Sequence, residues 1–277
     1  MVCGIFGRAA IHFPFHLQVG RFELSLHLLF ETLAYTVAFL FYRHLRKQDG
    51  DPIPDATRWS VITAAAAGAA LGSRILYWFE DPFLTFTHWH DPAYLMNGKT
   101  IVGGLIGGLI AVEWTKRLLG ETRSTGDLFA PPIALGIAIG RIGCFLEGLP
   151  DHTYGIATSL PWGVDFGDGI HRHPTQLYES LFALILLVFL WKMLRRPHVN
   201  GDVFKALMVC YMAWRLAIDF LKPEIHIFGL SGIQWACVAT LVYYSRDIRR
   251  WAANRAAWRG SKGIEELADV ESAGARH

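Results

Sequence analysis

Cysteine is scarce in this chain of 277 residues. The four present, Cys3, Cys144, Cys210 and Cys237, show no CxxC or other ligand spacing, which argues against a zinc-binding module or a disulfide framework. Charge of one sign is not in excess either. The formal net charge is +2, so bulk charge names no partner, and nucleic acid is not expected among the partners. A secretory leader is not evident: the first eighteen residues lack the basic, apolar, small-residue order, and the first long apolar run begins after Arg21. His171 and His173 stand two apart without a further ligand set; no metal or other cofactor is expected, and His173 is read as a hydrogen-bonding or titrating group. Matching broken helices in two inverted halves, which a transporter would show, are also lacking.

Apolar residues are abundant. The chain is 52% hydrophobic with a mean hydropathy of +0.28, and carries 10 Trp and 18 Phe. Seven apolar runs near membrane-spanning length are read as 22–42, 59–79, 100–118, 128–146, 175–194, 203–221 and 227–245. This predicts an all-α polytopic membrane protein of about seven transmembrane helices. With Lys116, Arg117, Lys192 and Lys205 at the run ends counted to the adjoining loops, eighteen of the 26 Lys and Arg fall in one set of loops and the tail, five in the opposite set and three inside the runs. The positive-inside rule then puts the N-terminus outside and the C-terminus in the cytoplasm. Expected segments are an outward N-terminal stretch over 1–21, the transmembrane domain over 22–245 with an outward loop at 147–174, and a tail over 246–277. That tail is basic and interfacial at first, then small, acidic and disordered.

The three arginines inside the runs are Arg74, Arg141 and Arg215. Arg141 closes an apolar run between glycines; a charge at membrane depth costs roughly 2.5–3.5 kcal/mol on insertion scales and marks a functional site by default. The alternative is an anchor that snorkels to the headgroups. Arg215 and Asp219 share a helix face at i, i+4, as a self-neutralising pair or as a carboxylate orienting an arginine toward an anion. Arg74 has Glu80 and Asp81 as candidate partners. Glu31 and Glu179 are further ionisable groups at depth, and the whole set predicts a polar cavity open to the outer leaflet that accepts something anionic. Gly103 and Gly104, in the run Gly103-Gly104-Leu105-Ile106-Gly107-Gly108, either let helices approach closely or let a lipid headgroup near the site.

Two stretches, Gly140-Arg141-Ile142-Gly143-Cys144-Phe145-Leu146-Glu147-Gly148-Leu149 and Arg172-His173-Pro174-Thr175-Gln176-Leu177-Tyr178-Glu179, resemble the hallmark motifs of the prolipoprotein diacylglyceryl transferase family. Val102-Gly103-Gly104-Leu105-Ile106-Gly107, the Arg215/Asp219 pair and Gly229-Leu230-Ser231-Gly232-Ile233-Gln234 are similar to three further family motifs, in order along nearly the whole chain. The resemblance implies a seven-helix bacterial inner-membrane enzyme, multi-pass, with its site facing the outer leaflet. It implies a transferase that moves the diacylglyceryl group of phosphatidylglycerol to a lipoprotein cysteine thiol, with glycerol phosphate leaving.

By position, Arg141 and Arg215 would hold the phosphate, as arginine forks do, with Gly143 shaping the headgroup pocket. Arg74, Gly103, Gly104, Arg172, Gln176, Tyr178, Glu179 and Asp219 complete the expected binding set. The departures are specific. The motif histidine is Val102, two asparagines are Cys144 and Glu147, and a glutamate is Leu149. Glu147, Asp151 or His173 would then have to serve as base. The reading drawn is a divergent phosphatidylglycerol-dependent glyceryl or diacylglyceryl transferase with an altered acceptor or chemistry. The alternatives are ordinary transfer to a lipoprotein precursor, or a non-catalytic anionic-lipid-binding or transport protein.

Overall fold

The computed structural model describes residues 13–254 except 20, 21 and 97. Most of the N-terminal stretch expected over 1–21, and residues 255–277 of the expected tail, lie outside the described residues. Among the described residues the architecture is helical, with seven long helices: α1 (Leu26–Asp49), α2 (Asp55–Trp78), α5 (Ile101–Leu118), α6 (Ala130–Glu147), α7 (Thr175–Leu194), α8 (Asp202–Ile218) and α9 (Gly232–Tyr243). Two short helices, α3 (Pro82–Thr87) and α4 (Pro92–Met96), lie between α2 and α5. Three stretches, Asp55–Trp78, Asp127–Glu147 and Thr175–Leu194, are long and apolar enough to cross a membrane, and Gly232–Tyr243 is a shorter apolar helix.

Apolar runs located the helices better than their ends. Helix α1 continues past Tyr42 to Asp49, because a helix can run on through Arg43, Arg46 and Lys47 once its charged end reaches water. At the other end, residues 22–25 are not helical; they form β2 (Phe22–Ser25), antiparallel to β1 (His16–Val19). Ser25 then caps α1, its Oγ accepting from the Leu28 N–H at 3.4 Å. The start of α9 is likewise later than residue 227. Phe228 and Gly229 both take positive φ in a turn, and Ser231 with Gln234 closes a capping box.

Small residues set the helix pairs. A Cβ on Gly103 or Gly107 of α5 would strike the backbone carbonyls of Gly72 and Gly68 on α2, so these two helices meet backbone to backbone. A Cβ on Gly143 of α6 would lie 2.8 Å from Phe30 Cβ on α1. Ser180 Oγ of α7 donates to the Ala138 carbonyl of α6 at 2.8 Å, and Phe182 of α7 stacks on Trp214 of α8 with ring centroids 4.4 Å apart. The core so formed includes Val102, Ala134, Ala138, Leu186, Leu207 and Met212. Outside it, large apolar side chains such as Leu40, Ile75, Ile110, Ile185 and Phe189 are exposed all round the bundle. Water tolerates few such contiguous patches; hydrocarbon solvates them at no loss.

The segment 147–174 is tightly tied without containing a long helix. Two-residue strands β3 (Val164–Asp165) and β4 (His171–Arg172) pair antiparallel. Ile156 N–H donates to the Leu221 carbonyl at 2.7 Å and Gly155 N–H to the His173 carbonyl at 2.9 Å, which fastens the loop over the ends of α7 and α8. The start of the tail is helical to residue 254. Trp251 Nε1 donates to Asp202 Oδ2 at 3.0 Å, so this part docks on the beginning of α8.

Candidate functional site

The loop-covered ends of α6, α7 and α8 bring four of the predicted residues, Arg141, Glu179, Arg215 and Asp219, into one buried network. Arg141 and Arg215 are 6% and 3% exposed and Glu179 1%. Glu179 Oε2 lies 3.0 Å from Arg141 Nε and 3.3 Å from Arg215 Nη1, bridging the two guanidinium groups. Tyr211 Oη donates to Glu179 Oε1 at 2.5 Å. Arg215 Nη2 reaches Asp219 Oδ1 at 2.9 Å, and Lys222 Nζ stands 3.3 Å from the same oxygen. Helical spacing explains part of this. Tyr211, Arg215 and Asp219 are i, i+4, i+8 on one face of α8 and the turn that follows it, while Gln176 and Glu179 are i, i+3 at the start of α7.

Three cations and two carboxylates leave the network one positive charge in excess. It also holds hydrogen-bonding capacity that the protein does not use. Arg215 Nε, Trp214 Nε1 and both ends of the Gln176 amide are buried without a hydrogen-bond partner among the described residues. A buried donor or acceptor left unmade costs about 1–3 kcal/mol, so each of these atoms calls for an explanation.

Around the rim, burial weakens charge. Lys222 is lowered by burial and by the neighbouring Arg215. Glu224 is raised by burial and by Asp219. Glu80, just past α2, is pushed up to about 7 by burial and then by Glu224.

The other expected residues sit apart from this network. Arg74 makes no ion pair with Glu80 or Asp81: its Nη1 donates to the Ala70 carbonyl at 3.1 Å, and Asp81 instead caps α3 through the Leu84 N–H. Gly103 faces α2, where the close-approach reading puts it, and a Cβ on Gly104 would meet Ala69 O at an ordinary 3.7 Å. Arg172 pairs with Asp168 at 2.6 Å and covers the Tyr154 ring. His173 Nδ1 lies 3.3 Å from Tyr178 Oη, which also accepts from Trp162 Nε1 at 2.7 Å. Glu147 Oε2 accepts from Ser25 Oγ at 3.2 Å. Val102 is fully buried in the core.

Sequence reading missed Lys222 and Tyr211. Lys222 was taken for a loop residue. Tyr211 was legible as the first member of the four-residue spacing that ends at Asp219.

A sequence model described as prolipoprotein diacylglyceryl transferase matches residues 14–245. A phosphatidylglycerol–prolipoprotein diacylglyceryl transferase of a Polaromonas species is 32% identical over 269 residues, 88% of this chain and 95% of that protein. Another so named, from Polaromonas naphthalenivorans, is 31% identical over 269 residues, covering 89% and 97%. One from Clostridium tetani is 34% identical over 184 residues, covering 63% and 73%.

Proposed function

The chain belongs to the prolipoprotein diacylglyceryl transferase family, and from that membership we propose that it is a multi-pass inner-membrane transferase acting on phosphatidylglycerol or a similar anionic lipid. Its N-terminus faces outward, all seven long helices span the membrane and the arginine network opens to the outer leaflet. The observation that carries the donor assignment is the excess positive charge of the Arg141–Glu179–Arg215–Asp219–Lys222 network together with its unpartnered donors. A phosphodiester brings one negative charge and two acceptor oxygens, which matches both. Arg141 and Arg215 hold the phosphate, Glu179 and Asp219 orient the two guanidinium groups, and Gln176 contributes its amide.

In the reaction, the bond between the glyceryl carbon and the phosphate oxygen breaks. The oxygen leaves with the electron pair as part of glycerol phosphate, and the acceptor's nucleophilic atom bonds to the carbon after giving up its proton. The arginines stabilise the charge that grows on the leaving oxygen. Position 102 holds a core valine that takes no proton. The acceptor step therefore differs from the family's usual one, with Glu147 or His173 as base and an acceptor or product of its own.

The named relatives at 31–32% identity along most of their length favour a second reading, ordinary transfer to the cysteine of a lipoprotein precursor. A cell depleted of its own transferase separates the two. Under the altered-acceptor reading this protein fails to sustain growth, while lipid analysis finds phosphatidylglycerol consumed and a new glycerol-linked product. Growth together with a diacylglyceryl-modified lipoprotein by mass spectrometry would overturn that reading. No turnover of phosphatidylglycerol in either assay would overturn the enzyme assignment.

A further inference from the structure

Beside the arginine network, the fold assembles a set of side chains that the phosphate chemistry does not use. His27 is in the first turn of α1, Cys144 in the last turn of α6, and Asp151 ends the short 3-10 turn at 149–151. One ligand-type atom from each lies within 4.8 Å of the other two. His27 Nδ1 stands 3.8 Å from Asp151 Oδ1, and that nitrogen is buried without a hydrogen-bond partner among the described residues. On the other side of the ring, Nε2 lies 4.0 Å from Glu31, whose carboxylate is held by Lys99 at 2.7 Å. That leaves Nδ1 as the ring nitrogen facing Asp151, with a carboxylate near the far nitrogen, an outer arrangement that recurs around ligating histidines.

We propose that His27, Cys144 and Asp151 form a three-ligand site for a divalent cation of the zinc class. Thiolate, imidazole and carboxylate together suit zinc, with bond lengths of about 2.0–2.3 Å and three protein ligands plus one open position in a tetrahedral shell. Those bond lengths set neighbouring ligand atoms about 3.5 Å apart, so a closure of roughly 1 Å by rotation of the Cys144 and Asp151 side chains completes the shell. A thiolate and a carboxylate balance the two charges of the ion. Arg141 Nη1 stands 3.7 Å from Cys144 Sγ, and the carboxylate of Glu31 behind His27 offsets the repulsion of the ion by that arginine. The fourth position is left to water or to an incoming soft anion such as a thiolate. Cys144 stands where the related motif has asparagine, so the site belongs to this chain and does not depend on the lipid reading above.

The purified full-length protein in detergent, stripped of metal and titrated with Co²⁺, tests it. The expected result is a thiolate-to-cobalt charge-transfer band that saturates at one ion per chain and is displaced by Zn²⁺. Cys144→Ser abolishes the band, His27→Ala and Asp151→Asn weaken binding by tenfold or more, and Cys210→Ala leaves it intact. Each variant is compared by its melting temperature without metal, so a misfolded one is recognised. Absence of the band in the folded wild type overturns the site, as does its survival in folded Cys144→Ser.

Discussion

Buried arginines occur at both ends of this bundle, and they differ in what they leave unused. At the end rich in basic loops, Arg58 is 0% exposed. Its Nε and Nη2 reach Asp51 at 2.9 and 2.5 Å, its Nη1 donates to the Thr125 carbonyl at 2.9 Å, and its guanidinium lies over the Phe129 ring. Arg46 approaches the same carboxylate at 2.6 Å. Every direction of that arginine is answered by protein. At the loop end, Arg141 and Arg215 share one carboxylate, Arg215 Nε stays unpartnered and the local charge is positive. A saturated arginine holds a fold together; an undersaturated one keeps a donor to spare. Burial alone does not separate the two cases, but the hydrogen-bond account does.

The largest effect expected from this contrast is on stability at the saturated end. Arg58→Met takes one of two cations from the largely buried Asp51 and leaves the Thr125 carbonyl without its donor, and breaking such a buried pair costs about 3–5 kcal/mol. Thermal unfolding in detergent should drop accordingly, while the folded fraction keeps its lipid turnover. A variant as stable as wild type would show that the Arg58 network carries no load.

Next comes function at the undersaturated end. Arg141→Lys and Arg215→Lys should each lower phosphatidylglycerol turnover by about 10²–10³, nearly as far as the Ala variants, because an ammonium cannot reproduce the planar fork. Stability should change less than for Arg58→Met, since a lysine keeps a cation beside Glu179. Full turnover in either Lys variant would reduce the site to a point charge and remove the two-arginine phosphate clamp.

Much of this was readable before any coordinates. The seven apolar runs found the seven long helices, and two of the three arginines within the runs, Arg141 and Arg215, found the network while Arg74 lies apart from it, because a charge in an apolar run stands out against its surroundings. Two things were not readable. Arg58 stands one residue before the 59–79 run, and nothing local reveals that Asp51 and the Thr125 carbonyl close over it. Likewise Cys144 looked like a drifted motif position, because His27 and Asp151 reach it only through the α1–α6 contact at Gly143 and the turn after α6. Pairings across the bundle leave no periodic trace in the chain.

Titration sharpens the comparison further. Burial alone would raise Asp51, but hydrogen bonds from Arg58 and the Ile53 N–H outweigh it and hold the group below its usual value. Its stabilisation is therefore present above the unfolded value and is lost as pH falls through the folded one. Glu80 behaves oppositely. Between its ordinary value near 4.5 and about 7 the folded chain keeps a proton that the unfolded chain has released, so stability falls as pH rises through that window. Glu80→Gln should leave stability near pH 5 almost unchanged and raise it by about 1–3 kcal/mol at pH 8, discounted for partial exposure. Asp51→Asn should instead be most harmful at neutral pH and lose its penalty in acid. Parallel pH profiles for the two variants would contradict the assignment of opposite environments.

The smallest effect carries the comparison into two neutral side chains. Gln176 and Gln234 are 1% and 0% exposed. Gln234 is satisfied: its Oε1 accepts from the Ser231 N–H at 2.9 Å and its Nε2 donates to the Leu216 carbonyl at 2.9 Å. Gln176 has neither end of its amide bonded among the described residues. Replacing each by Leu keeps most of the volume and removes the amide. For Gln234 this leaves two buried backbone groups without partners, a loss of about 1–3 kcal/mol. For Gln176 it removes two unsatisfied atoms, so the ligand-free protein should be unchanged or more stable by up to about 1 kcal/mol, while lipid turnover falls because the headgroup loses the amide. Stability and activity thus move in opposite directions at one position and together at the other, as thermal melts and turnover of the two variants would show. If Gln176→Leu lost stability and kept its turnover, that amide would be serving the fold, and the loop end would be as saturated as the basic one.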